Sequence, residues 1–318
     1  MNSQSIKKFM TVEKNIDLKD IIKFLENSLI AVYGEPGSVI VRHLRDPEHV
    51  DEFTLDWVNP AKADKQKIAE KSQAKVIIVD KEVVFSDTMK NQGKVLLVVD
   101  NPKLAIAKVG NEFFVEKPIP GIHPSAVIHP DAQIGENVFI GANTIIENCI
   151  IGNDSIIDAN VHIYSSVIMG KHCTVKSGAV LGGMGFGFEK DENGNLFRFP
   201  QIGNLFIGDY VEIGANTCID RGALSDTVIG DYCKINNLCH IAHNNVIGRN
   251  VVITAQVNIS GSNIIEDDVW IAPNASIRGW LTIGKGATIG MGSVVTKDVP
   301  AGETWVGNPA RKLEKNKQ

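Results

Sequence analysis

The chain has 318 residues, 43% of them hydrophobic and 22% charged, which is ordinary for a water-soluble protein and long enough for two domains. A net charge of −5 with no broad basic stripe argues against nucleic acid as a partner. No run is apolar and long enough to span a membrane, and the opening MNSQSIKKFMTVEKNIDLKD has no signal-peptide core, so a cytoplasmic location is expected.

Residues 1–120 read as a small α/β domain. Leu18, Ile21, Ile22 and Leu25 recur at helical spacing and predict a helix within 18–28. SLIAVYG, SVIVRHL, AKVIIVD and KVLLVVD are short β-rich runs bounded by Gly, Pro, Asp or Lys, and NPKLAIAKVG can start a helix after the last of them. KPIPGIHP, residues 117–124, is a proline-rich linker, since proline suits neither a helix interior nor a sheet centre.

From Ile122 the pattern changes. Ile122, Ile128, Ile134 and Ile140 recur every six residues, as do Ile151, Ile157, Ile163, Met169, Val175 and Leu181. A third series runs from Ile229 through Ile235, Ile241, Ile247, Ile253, Ile259, Ile265, Ile271, Ile277, Ile283 and Ile289 to Val295. A period of six fits neither an α-helix nor a meandering sheet; it is the signature of a β-helix whose coils are triangular, with three hexapeptides making one coil of eighteen residues. The aliphatic residue points into a narrow prism, small residues fit the corners, and pairing between coils satisfies the backbone. Low aromatic content, 6%, and 29 glycines fit a core of stacked aliphatic layers. The domain is expected over 121–300, with a short C-terminal segment at 301–318. Five scattered cysteines without a C-x-x-C pair read as reduced, mostly buried filler.

Two interruptions break the series. Gly182–Gln201 separates Leu181 from Ile202, and ALSDTV lengthens the step from Ile219 to Ile229. A solenoid ejects an insertion as a loop, and such loops often bind. Phe186, Phe188, Phe197 and Phe199 favour a loop that covers something over a plain surface loop.

HIAHNNVIG holds two histidines three residues apart. Ile241 is the inward position, so His240 and His243 both point outward. One coil further on, Gly261 is expected to stack on His243. A metal would need three convergent histidines, and His123, His129, His162 and His172 all lie several coils away, so no metal site is expected.

The segments FPQIGNLFIGDYVEIGANTCIDRGALSDTVIG and NNLCHIAHNNVIG, with GFGF at 185–188, resemble the UDP-3-O-acylglucosamine N-acyltransferases of lipid A assembly. FTLDWVNPAK and NPKLAIAKV agree more faintly. The resemblance implies a left-handed parallel β-helix of hexapeptide repeats preceded by a small α/β nucleotide-binding domain. It implies a cytoplasmic homotrimer that acylates the amino group of a nucleotide-linked amino sugar from acyl-CoA or acyl carrier protein, with no permanently bound cofactor.

His243 matches the family's general base, and an imidazole titrating near neutrality suits that task. The Gly261 N–H is expected to stabilise the oxyanion, the plainer alternative being a corner glycine. Asn59, Gly185, Phe186, Phe188, Asp220, Arg221, Asn237, His240 and Asn244 are expected on the substrate side. For His240 a solvated surface role is an equal alternative.

The chain departs from the family at three places. Lys62 stands where an aromatic residue usually meets uracil, and Trp280 where a second histidine is common. The end, VTKDVPAGETWVGNPARKLEKNKQ, is more like CoA-dependent hexapeptide acetyltransferases. Trp280, Arg311 and Lys312 are therefore expected beside the acyl donor, and a short acyl-CoA donor for a dideoxyamino sugar stands beside the long 3-hydroxyacyl donor of the lipid A reaction. A non-catalytic solenoid binding sugar or protein is the remote alternative.

Overall fold

The structure of the chain is a computed structural model that describes residues 14–314. The basic tail residues Lys315 and Lys317 lie outside the described residues. The chain divides into two compact units, Met1–Lys117 and Pro118–Gln318.

The first unit is built on a four-stranded mixed sheet, in the order Leu29–Tyr33, Val95–Val99, Val76–Val79, Leu55–Trp57. Val76–Val79 and Val95–Val99 are buried at every position, as in a sheet covered on both sides. One side packs Ile78, Val95 and Leu97 against Leu18, Ile21 and Leu25 of the helix Leu18–Leu25. The other packs Ile77, Val79 and Leu96 against Ala69 and Met89. Asp17 caps the first helix by accepting from Lys19 N. Of the expected strand SVIVRHL only Ile40–Val41 is extended, paired antiparallel with Ile16–Asp17. The helices Lys65–Lys71 and Asp87–Asn91 and the strand Leu55–Trp57 carry too few apolar residues to register as periodic runs.

The second unit is a parallel β-solenoid of three sheets with eleven, nine and eight strands. Most strands are two residues long, and the second residue of each is the inward aliphatic. Every member of the series from Ile229 to Val295 is at most 2% exposed. The first coil is an open end: Ile122, in the strand Gly121–Ile122, is 52% exposed, so the linker's last residues already belong to the solenoid. The corners take the left-handed backbone, with φ between 55° and 66° at seventeen non-glycine residues, most often asparagine. Asparagine tolerates this region, whereas Tyr210, Tyr232, Leu238 and Trp280 turn their corners against their own preference.

The larger insertion runs further than expected. Ile202 does not resume the core series: it is 74% exposed, and Leu205 and Ile207 are the buried residues that re-enter the prism. The backbone of Ile202 and Gly203 is instead tied to Ala223, within the second insertion. Burial raises the thiols of Cys149 to about 12 and of Cys173 and Cys233 to about 11, so these three are inert filler.

Candidate functional site

His243 sits where the strand His240–Ile241 of the nine-stranded sheet hands over to Val246–Ile247 of the eight-stranded one. Ile241 and Ile247 anchor both sides of this corner in the prism. Asn245 is fully buried beneath it. Its Nδ2 donates to Ala242 O (2.7 Å) and Ser260 O (3.0 Å), and its Oδ1 accepts from Asn263 N (3.1 Å). The turn that carries His243 is therefore held from inside by a satisfied polar pair rather than by apolar packing.

The tautomer of His243 is set by Asn244. Asn244 Nδ2 faces Ser225 Oγ (2.5 Å) and Ser225 O (3.1 Å), while its Oδ1 faces Ala223 N (3.2 Å) and His243 Nδ1 (2.7 Å). A backbone carbonyl requires the amide NH₂ and a backbone N–H requires the amide oxygen, so the orientation of this amide is assigned by its partners. Nδ1 must then be the donor, and Nε2 carries the lone pair. Ser225 and Ala223 belong to the ALSDTV insertion, so that insertion orients the imidazole through Asn244.

Two glycines make room for the ring. A Cβ on Gly261 would lie 2.9 Å from His243 Cε1 and 3.1 Å from Nε2, and one on Gly185 would lie 2.9 Å from Cδ2. Both places need glycine because the imidazole passes across bare backbone. The Gly261 N–H donates to no group among the described residues. Gln201 packs at the same place, its Oε1 2.7 Å from where a Cβ on Gly185 would stand; it is 6% exposed, and that Oε1 has no hydrogen-bond partner among the described residues. An unpaired buried acceptor of this kind is costly to the fold.

His243 and Gln201 line a cavity of about 680 Å³ whose other walls are mainly apolar: Phe188, Leu224, Val246, Ile264 and Trp280. The hairpin Phe188–Lys190 and Leu196–Arg198 carries Phe188, which Arg198 covers at 4.7 Å. Trp280 occupies the left-handed corner stacked above Ser262 and Asn244.

Asp220 stands at the edge of this site. A β-bulge between Leu181 and Gly183 shifts the register, so that Asp220 pairs with Gly183. Asp220 is partly buried, its carboxylate accepts no hydrogen bond among the described residues, and its Oδ2 lies 3.8 Å from His240 Nε2. Burial pushes its pKa up to about 6, against the pull of His240 and His243. The neighbouring Arg221 ties two coils together through Gly182 O (2.7 Å) and Ser165 O (2.8 Å).

Of the residues singled out by sequence, the structure brings together His243, Gly261, Gly185, Phe188, Asn244 and Trp280, with Asp220 and His240 adjoining. Asn244 has both ends of its amide engaged by protein groups, and the guanidinium of Arg221 is spent on backbone carbonyls. Phe186 is 84% exposed and stacks edge-on with Phe188 rather than lining the cavity. Asn237 is at a different corner, where it accepts from Ala215 N. Arg311 donates to Ala310 O and Lys312 pairs with Glu303 at 2.7 Å, away from the cavity walls. Asn59 belongs to the first unit, where its side chain accepts from Ala61 N. No cluster of metal-ligating side chains occurs among the described residues. Gln201, Ser225 and Asn245 escaped the sequence reading; only their places beside the insertions and at a corner carried any signal.

Comparison with known proteins identifies the repeat and the family. The family model for bacterial transferase hexapeptide (six repeats) matches residues 120–148, 148–183 and 264–297. The chain is 40% identical over 317 residues to UDP-3-O-acylglucosamine N-acyltransferase 1 of Francisella tularensis subsp. holarctica (strain OSU18), covering 93% of this chain and 90% of that protein. It is 47% identical over 148 residues to the UDP-3-O-acylglucosamine N-acyltransferase of Caulobacter sp. (strain K31), where the match spans 46% of this chain and 43% of the relative's length. Among solved structures it is similar to a UDP-N-acetylglucosamine acyltransferase from Campylobacter jejuni, with a TM-score of 0.56, 27% identity, and 62% and 75% of the two chains covered. No described helix is long and apolar enough to cross a membrane.

Proposed function

This chain belongs to the UDP-3-O-acylglucosamine N-acyltransferase family, and from that premise we propose that it transfers an acyl group from a phosphopantetheine thioester to the amino group of a UDP-linked 3-O-acylglucosamine. The observation that carries the reading is the 2.7 Å contact between His243 Nδ1 and Asn244 Oδ1, from which the tautomer follows. Asn244 holds Nδ1–H, which leaves the Nε2 lone pair as a base beside an apolar cavity. In the proposed reaction the sugar nitrogen attacks the thioester carbonyl and a C–N bond forms. His243 Nε2 takes the proton from nitrogen as the tetrahedral intermediate develops. The Gly261 N–H, which donates to no group among the described residues, receives the oxyanion in this proposal. As the intermediate collapses the C–S bond breaks, and the imidazolium returns the proton to the departing sulfur. Neither a metal nor a resident cofactor takes part. The thioester carrier, acyl carrier protein or CoA, is a co-substrate. The working assembly in this proposal is a homotrimer in the cytoplasm, with Asn59 of the first unit on the nucleotide side.

The apolar walls Phe188, Leu224, Val246 and Ile264 support a long acyl chain in the cavity. One observation favours a shorter one: the bulky Trp280 is among the residues that line the same cavity. A thioester panel of graded chain length, on both carriers, with the acceptor product read by mass spectrometry, decides between them. Long chains on acyl carrier protein are expected to turn over fastest. A clear preference for acetyl- or butyryl-CoA would replace the long-chain reading, and no amide product with any donor would overturn the proposal.

A further inference from the structure

The anion at the edge of the site has no structural work to do. Asp220 accepts no hydrogen bond from any described group, although it is partly buried and only 14% of its side-chain surface is exposed. Folding does not gain from such a group: a buried carboxylate is ordinarily paired or hydrogen-bonded. The charged groups on the elements packed against it are otherwise engaged. The adjacent Arg221 turns away to Gly182 O and Ser165 O, and on the coil beneath the strand Val180–Gly183 carries no titratable side chain. Further down, Glu147 is occupied by His162 and Ser165. On its own strand Cys218 is a thiol that Asp220 and burial keep protonated. From the insertions, Asp226 is taken up by Asn204, and Arg198 by Gly185 O and Phe188. What remains is the coil above, with His240 Nε2 at 3.8 Å and His243 within the reach of its field. The bulge at Leu181–Gly183 is what brings Asp220 to this place, and bulges beside active sites serve to re-aim a side chain.

We propose that Asp220 is the positioning carboxylate of the site, an anion placed to stabilise positive charge on the His240 and His243 imidazoles. This deepens the proposed reaction and rests on it for its catalytic meaning. When His243 takes the proton from the attacking nitrogen, the new imidazolium meets a fixed negative charge instead of apolar walls. His240, with 46% of its side chain exposed, lies between that anion and water. The raised affinity of Asp220 for a proton has the same origin: the carboxylate is held dry and compensated only by two histidines.

The test reads the imidazoles of the free protein by NMR titration, which needs no substrate and so stands apart from the proposed reaction. In Asp220→Asn the NMR titration midpoints of these two imidazoles are expected to move to lower pH than in wild type, because their charged forms lose an opposing charge. Asp220→Glu is expected to restore part of the shift and keeps the test valid if the Asn variant folds poorly. On active enzyme the acid limb of kcat/KM is expected to move to lower pH in Asp220→Asn, with kcat reduced about tenfold. Midpoints that stay where they are in both variants would overturn the proposal. So would a melting temperature that falls while the midpoints and the acid limb remain unchanged, since that is the mark of a purely structural carboxylate.

Discussion

Replacing Gly261 by alanine tests the geometry of the base with one methyl group. The backbone at Gly261 is not left-handed, so alanine meets no conformational strain there. The new Cβ would lie 2.9 Å from His243 Cε1, 3.1 Å from Nε2 and 3.2 Å from the carbonyl oxygen of His243. Ordinary carbon contacts begin near about 3.5 Å, so the ring must retreat by about half an ångström. The carbonyl cannot yield easily, because it accepts from Ser262 N at 3.0 Å within the coil ladder. Retreat of the ring stretches the 2.7 Å bond to Asn244 that fixes the tautomer. Losing that bond costs about 1 kcal/mol of stability, a shift of about 2–4 °C in melting temperature for a unit of this size. Displacing a general base by a fraction of an ångström to one ångström costs up to about 100-fold in rate. The alanine N–H is retained, so a loss of activity reports the imidazole and not the oxyanion. The assay is steady-state kcat with a saturating thioester beside a thermal melt. A Gly261→Ala enzyme with kcat within about threefold of wild type, well inside that range, would refute the claim that His243 needs this glycine.

His243→Ala is expected to lower kcat by about 10²–10⁴-fold while the circular dichroism melt stays close to wild type, because the ring is half-buried at a corner held by Asn245. Ile253→Asp places a carboxylate at a position 0% exposed inside the prism, and the expected cost of several kcal/mol appears as loss of the cooperative melt. Asp220→Asn is expected to stabilise the fold above about pH 6. The native pKa lies about two units above the ordinary 3.8, so the folded state prefers the protonated acid and ionisation costs up to about 3 kcal/mol. This advantage of the variant is absent at pH values below the unfolded pKa, grows as pH rises through the interval between 3.8 and about 6, and is constant above it; denaturant melts at pH 4 and pH 8 check the sign. Trp280→Asn replaces a bulky residue at φ 64° by one that tolerates the left-handed region, so it is expected to raise stability by about 1 kcal/mol and to shift the thioester preference towards longer chains, both read on one purified variant.

The solenoid was legible because its core rule is one-dimensional. A narrow prism accepts one aliphatic residue per hexapeptide, and the period survives in the sequence wherever nothing is inserted. The site was legible in part, for the same reason: knowing that Ile241 points inward places His243 outside and Gly261 above it. What stayed hidden depends on contacts between segments far apart along the chain. Gln201 reaches His243 only because the first insertion folds back on Gly185. Ser225 fixes Asn244 only because the second insertion returns to the corner. The re-entry at Leu205 and Ile207 rather than Ile202 follows from backbone bonds between the two insertions, which no periodicity can reveal. In the first unit, buried strands such as Val76–Val79 and Val95–Val99 announced themselves as continuous apolar runs, whereas the short helices Lys65–Lys71 and Asp87–Asn91 bury too few side chains to leave a pattern.

In the proposed reaction this chain joins an acyl group to the nitrogen of a UDP-linked sugar with His243 as base. Fragmentation mass spectrometry of the product formed from UDP-3-O-acylglucosamine and an acyl thioester tests it most directly. The account predicts one added acyl group, located on the sugar nitrogen, formed by wild type and reduced at least about 100-fold in the His243→Ala protein. An acyl group found on a sugar hydroxyl, or amide product formed equally well without His243, would contradict it.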